Sequence, residues 1–275
     1  MNMESRLALF GVIGHPLGHS LSPAMHNAAF SEKGIQAVYL AFETLDPEGA
    51  MRGMRALGIR GMSVTHPHKR EVVPFLDEVD DLGRRTGAVN TVLNVQGRLK
   101  GFNTDGAAVI RALEEKTTLA GKTCLIIGAG GAAWAAGFSL KARGVRLLVT
   151  NRTSARGESL ASALSCPFVP LHEVVGCGQD VIIQATPVGM YPETDYLPVP
   201  EGIFREGMVV MDMVYNPMET PFLKAAGARG SIAVSGRSMF VYQGAEQFRL
   251  WTGLEAPLDV MRGAVETALR KRVLH

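Results

Sequence analysis

A short apolar run at 123–127, Thr-Cys-Leu-Ile-Ile, leads directly into Gly128-Ala129-Gly130-Gly131-Ala132-Ala133 and then into a helix-forming stretch at 132–143. No other feature of the chain restricts its fold so tightly. An apolar strand without alternation suits the centre of a parallel sheet, covered on both faces. The G-x-G-x-x-A spacing asks for a tight turn at Gly128, a bare backbone at Gly130 and close helix–strand packing at Ala133. A helix that starts on such a turn aims unpaired amides and the positive end of its dipole outward, where phosphates bind. A glycine turn with no ligand has the same spacing. Its place between a strand and a helix favours a nucleotide.

The rest of the chain repeats the strand–helix alternation of α/β folds. Strands are expected at 7–13, 38–42 and 59–64. Ser22-Pro23 opens the first helix, with Ser22 as its N-cap, and Gly34 ends it; Asp46-Pro47 opens the second and Gly58 ends it. Runs at 88–95 and 99–102 form a hairpin around Gln96-Gly97. A new unit begins near Asp105, with a helix at 106–115, strands at 123–127, 146–150, 180–185, 208–213 and 231–234, and helices at 240–251 and 257–271. The expected fold is two α/β domains with a cleft between them, a common ligand site. One is discontinuous, 1–105 plus 239–275, and the other, 106–238, is Rossmann-like.

Composition narrows the function. The 275 residues are 47% hydrophobic and 20% charged, enough for a full core. A net charge of +2 gives no case for nucleic acid or an anionic membrane as partner. No run has the length of a membrane span or the form of a signal peptide. The scattered cysteines, Cys124, Cys166 and Cys177, point to a reducing cytoplasm.

Candidate ligand contacts fall into two groups. After the 146–150 strand, where an NAD site carries an acid, stand Asn151, Arg152 and Thr153, with Arg156 next. Guanidinium groups favour a 2′-phosphate, hence NADP over NAD; solvated surface arginines are the plainer reading. In the other group, Lys69 follows Thr65-His66-Pro67-His68 at a strand end. A desolvated lysine can transfer protons, and Asp105 would hold its ammonium. On residue type alone, two unrelated surface charges fit as well. Ser20, Ser22, Thr65 and Asn90 add donors for a hydroxylated or carboxylated ligand. Histidines 15, 19, 26, 66 and 68 form no metal motif.

Taken together these segments resemble the shikimate dehydrogenase family. Gly14-His15-Pro16-Leu17-Gly18-His19-Ser20-Leu21-Ser22-Pro23 resembles its G-x-P-x-x-H-S-x-S-P substrate loop. Residues 63–69, Ser-Val-Thr-His-Pro-His-Lys, resemble N-V-T-x-P-x-K, and 87–91 and 101–105 match G-A-V-N-T and G-x-N-T-D. Residues 151–153 match its NADP motif, and 185–190, 212–217 and Gln243 complete the set. The resemblance implies reversible, NADPH-dependent reduction of 3-dehydroshikimate to shikimate, in the chorismate route to aromatic amino acids. It implies that Ser20, Ser22, Thr65, Asn90, Asp105, Tyr215 and Gln243 contact shikimate, that Lys69 transfers the proton, and that Asp105 is its partner. Cofactor contacts would come from Asp81, Gly128, Ala129, Gly130, Gly131, Ala132, Asn151, Arg152, Thr153, Arg156, Thr186, Met213 and Gly236. The partner is then a small molecule, and the enzyme a monomer or homodimer. A quinate/shikimate dehydrogenase using NAD is one alternative, and a non-catalytic nucleotide and carboxylate sensor another. Ser63 and Gln184 stand where the family usually has Asn, and His66 and His68 where it has apolar residues. These departures are expected to alter pocket polarity and leave the reaction unchanged.

Overall fold

The structure is a computed structural model that describes residues 7–18, 20–191 and 193–273. The backbone separates into two units, Met1–Thr104 with Val241–His275, and Asp105–Phe240.

The first unit opens with β1 (Ala8–Gly14), α1 (Ser22–Glu32), β2 (Ala37–Glu43), α2 (Pro47–Ala56) and β3 (Gly61–Val64). It continues with β4 (Glu78–Val79), α3 (Asp81–Thr86), β5 (Thr91–Val95) and β6 (Arg98–Phe102). The sheet order is β2-β1-β3-β5-β6-β4. β1 is parallel to β2 on one side and to β3 on the other. The chain therefore leaves β1 in one direction and returns on its far side, so the loops after β1 and β3 diverge at a topological switch point.

Local chemistry sets the helix ends. The Asp46 carboxylate accepts from Gly49 N at 2.8 Å, and Pro47 occupies the first helical turn. The expected N-cap role of Ser22 does not hold. Leu21 takes the cap position without a side-chain bond, and Ser22, already helical, donates its amide to Ser20 Oγ at 3.3 Å. Gln96 and Gly97 are both left-handed (φ 53° and 87°), as a two-residue hairpin turn requires. Met51, Met54, Met62, Val64, Val92 and Leu99 fill the core on one face of the sheet.

Helical residues 241–252 cover the other side. Gly61 makes room for Trp251; a Cβ there would lie 2.5 Å from the indole, whose Nε1 donates to Val92 O at 3.1 Å. Gly244 allows a similar close approach to Met25 of α1.

The second unit comprises α4 (Asp105–Glu114), β7 (Thr123–Ile127), α5 (Gly131–Ala142), β8 (Arg146–Thr150), α6 (Ser154–Leu164), β9 (Val181–Gln184), β10 (Val209–Asp212), α7 (Pro221–Ala228) and β11 (Ile232–Ser235). Its sheet, β11-β10-β9-β7-β8, is parallel throughout, with β7 between β8 and β9. Leu125, Ile127, Ile182, Val210 and Phe222 are buried in its core. The chain ends with α8 (Gly236–Thr252) and α9 (Leu258–Val273). No described helix is long and apolar enough to cross a membrane.

Candidate active site

In the first unit the segments that follow β1 and β3 at the switch point carry Ser20, Ser22, Thr65 and Lys69. The serine loop leaves β1 at Gly14, whose backbone lies against the Thr65 methyl; a Cβ there would fall 2.4 Å from it. Thr65 N donates to Ile13 O at 3.0 Å and His15 N to His66 O at 3.0 Å, so the two loops are laced together. The Glu43 carboxylate at the end of β2 meets His15 Nδ1 at 3.0 Å and accepts from Leu17 N at 3.1 Å. Ser20 N then turns back to Leu17 O at 2.8 Å. His19 of this loop lies outside the described residues. Lys69 follows Thr65 by one turn, and its carbonyl accepts from Val89 N at 2.8 Å, next to Asn90.

Asn90 is set by a chain of buried polar groups. Its Oδ1 accepts from Thr104 N at 2.9 Å and from Thr91 Oγ1 at 2.8 Å. Gln247, on α8, donates to Thr91 Oγ1 at 3.0 Å and to Asn90 O at 3.2 Å. Its Oε1 accepts from Ser63 Oγ at 2.8 Å, and Ser63 accepts from Tyr39 at 2.6 Å. The hydroxyl protons therefore all run toward Gln247 or Asn90, and the Asn90 amide is fixed with its nitrogen as the donor. Burial pushes the Tyr39 phenol pKa upward, opposed by bonds to Ser63 and Ser22, so Tyr39 stays a proton donor.

His26 closes this network. Its ring stacks on Tyr39 with centroids 4.5 Å apart, and Nε2 lies 3.3 Å from Gln247 Oε1. Its Nδ1 is buried without a hydrogen-bond partner. Burial lowers its pKa to about 3, against a smaller opposing effect of the Gln247 bond. The ring is thus a neutral donor through Nε2.

In the second unit the loops after β7 and β9 meet. Gly128 (φ 117°) lies against Thr186 and Ala185; a Cβ there would be 2.9 Å from Thr186 Cγ2 and 3.0 Å from Ala185 O. Gly130 caps α5, and a Cβ on it would meet nothing within 4 Å. That bare, open backbone at a helix start fits a pyrophosphate. Ala129, Gly131 and Ala132 are partly exposed around it, and Ala133 is buried. Asn151 Nδ2 donates to Thr153 O at 2.8 Å, and Thr153 is the N-cap residue of α6. Arg152 and Arg156 are exposed at this corner, open to an anionic group. These residues fit an NADP-type dinucleotide.

The loop after β10 carries Met213 and Tyr215. Asp212 is fully buried; Oδ1 accepts from Val214 N at 2.9 Å and Oδ2 from Thr220 Oγ1 at 2.6 Å. Burial raises its pKa to about 6, with those two bonds opposing. Gly236 packs on this loop, where a Cβ would be 2.6 Å from the carbonyl oxygens of Met213 and Val214. The Tyr215 ring lies 4.7 Å from that of Phe240. Asp105, buried, is the first residue of α4.

The chain matches a family model for the shikimate dehydrogenase substrate binding domain over residues 12–92 and one for shikimate/quinate 5-dehydrogenase over 111–190. A third, for the shikimate 5′-dehydrogenase C-terminal domain, matches 236–266. The chain is 44% identical to the shikimate dehydrogenase (NADP+) of Moorella thermoacetica, covering 98% of this chain and 96% of the relative. It is 45% identical to the enzyme of that name from Methanopyrus kandleri, covering 98% and 99%. The crystal structure of the Thermus thermophilus shikimate 5-dehydrogenase in complex with NADP(H) and shikimate superposes with a TM-score of 0.90 at 38% identity, covering 95% and 100%. The chain belongs to the shikimate dehydrogenase family.

Of the four departures, Ser63, Gln184 and His68 are buried with partners in the fold. Ser63 is 6% exposed and is the middle of the Tyr39–Gln247 chain. Gln184, fully buried, donates to Thr186 O at 3.0 Å and Val188 O at 2.9 Å, and accepts from Thr186 N at 2.5 Å. It braces the 186–188 loop from below. His66 is exposed, and His68 is buried. Asp81 is exposed in the first unit and paired with Arg84. Sequence reasoning missed Gln247, although it stands four residues after Gln243 on the same helix face. It also missed Glu43, whose partners His15 and Leu17 lie on a loop distant in sequence, and the bracing role of Asp212 toward Val214 and Thr220.

Proposed function

We propose that the chain is an NADP-dependent shikimate dehydrogenase that interconverts 3-dehydroshikimate and shikimate, in the route to chorismate and the aromatic amino acids. Bound NADPH supplies the hydride to the carbonyl carbon. Lys69 gives its ammonium proton to the oxygen of the developing alkoxide and recovers one from water; oxidation runs the same transfer backward. Asp105 holds the Lys69 ammonium and orients the neighbouring substrate hydroxyl. Ser20 and Ser22 take the carboxylate, and Thr65, Asn90, Tyr215 and Gln243 take the remaining polar groups. Arg152 and Arg156 bind the 2′-phosphate, and Asn151, Thr153, Thr186, Met213, Gly236 and Asp81 complete the cofactor contacts.

The observation that carries this reading is the lacing of the serine loop to the Thr65–Lys69 loop beside Asn90, at one switch point. Orientation of a proton donor against a held carbonyl is the main physical contribution of such a site. Three free cysteines fit a reducing cytoplasm, where the enzyme acts as a monomer or homodimer. Initial rates with shikimate and quinate, each with NADP and NAD, test the assignment. The expected preference is shikimate with NADP; a preference for quinate with NAD contradicts it.

A further inference from the structure

The first unit buries two histidines in opposite ways. His26 has an acceptor at Nε2 and nothing at Nδ1. His68, 1% exposed, has an acceptor at each ring nitrogen: Glu71 Oε2 lies 2.5 Å from Nδ1, and the Thr44 carbonyl oxygen 2.8 Å from Nε2. Both ring nitrogens are therefore engaged, one on each side of the ring. Glu71 is half exposed, and the bond to the Thr44 carbonyl is partly buried.

This bridge ends on a meaningful residue. Thr44 follows β2, and its amide donates to Gly14 O at 3.2 Å. Glu43, immediately before it, holds His15 and Leu17. The corner at 43–44 is therefore tied to the serine loop, and His68 ties the lysine loop to the same corner. His68 N also donates to Thr65 O at 2.9 Å, its carbonyl accepts from Val72 N at 3.1 Å, and the Lys69 carbonyl accepts from Val89 N at 2.8 Å. The Lys69 backbone is held on both sides, and the ring bond to Thr44 is the one of these that only a side chain provides.

We infer that His68 is a positioning residue for Lys69, acting through the Nε2–Thr44 carbonyl bond that fixes the lysine loop against the serine loop. The inference rests on the proton-transfer role given to Lys69 above. Displacing a reacting group by about an ångström costs roughly 100-fold in rate. Gln places its amide nitrogen near the site of Nε2, and Asn places its own near Nδ1, so the two variants divide the bridge.

The test measures kcat, KM for shikimate, and equilibrium affinities for shikimate and NADP in His68→Gln, His68→Asn, His68→Leu and Lys69→Ala. His68→Asn and His68→Leu should lose about 10- to 100-fold in kcat, with both affinities within about threefold of wild type. His68→Gln should stay within about threefold in kcat. Equal kcat in the Gln and Asn variants overturns the inference, and so does a near-normal kcat in His68→Asn while Lys69→Ala has collapsed. Should His68→Leu fail to fold, the Gln–Asn pair still decides. A near-normal kcat in Lys69→Ala instead removes the reading beneath it, a separate failure.

Discussion

In the first unit, the loops after β1 and β3 are laced together, and the polar chain that sets Asn90 ends on a buried neutral base, His26. In the second, the loop after β10 is anchored on a buried acid, Asp212. Both sheets use the same device, an interior strand flanked by the next two strands of the chain, one on each side. The polar groups beneath the loops differ. Hydroxyls and amides set the direction of Asn90, whereas a carboxylate with two donors pins the loop of Met213 and Tyr215. Topology thus places the loops, and the local polar chemistry decides how each responds to protons.

The largest expected consequence is acid loss in the first unit. His26 falls from 6.5 unfolded to about 3 folded, so the folded state binds fewer protons between those values. Its contribution is fully present above pH 6.5 and is lost as pH drops toward 3, on the order of 5 kcal/mol in all. Denaturant unfolding followed by Trp251 in a Trp134→Phe background should show the first unit's midpoint falling with acid. In His26→Leu the fall should shrink sharply; an unchanged fall would assign it elsewhere.

Asp212 has the opposite sign. Its folded pKa of about 6 exceeds the unfolded 3.8, so its neutral form favours folding. That contribution is complete below pH 3.8 and is lost as pH rises through 6, about 3 kcal/mol. The second unit, followed through Trp134 in a Trp251→Phe background, should gain stability from this group as pH falls from 6 to 4. Asp212→Asn should abolish that gain. Parallel responses of the two units in both backgrounds would break the contrast.

A smaller effect separates the units by function. Arg152→Ala should raise KM for NADP about tenfold, the usual loss for one charge-assisted bond, and leave kcat and the KM for NAD nearly unchanged. Initial-rate kinetics with both cofactors check this. An equal rise for NAD would show that Arg152 does not read the 2′-phosphate.

Most of the α/β alternation was legible because buried parallel strands are nearly pure apolar runs. The 123–127 and 146–150 strands match β7 and β8 to the residue. Three helices escaped. α3 is six residues and largely charged, α6 is built mostly from small residues, and α7 is a short segment of eight containing a glycine. None presents a strong apolar periodicity. At the site, residue type located the loops, yet it could not show which polar groups turn inward. Ser63, Gln184 and His68 looked like pocket residues because their partners, Tyr39 with Gln247, the 186–188 backbone, and Thr44 with Glu71, come together only in the fold.

The central claim is the proposed proton transfer by Lys69 of the first unit, with the cofactor held chiefly by the glycine loop and arginines of the second. Its most direct test is shikimate oxidation with NADP by Lys69→Ala, with NADP affinity measured on the same sample. The account predicts a kcat about 10²- to 10⁴-fold below wild type and an NADP affinity within about twofold of it. A kcat near that of wild type would contradict it.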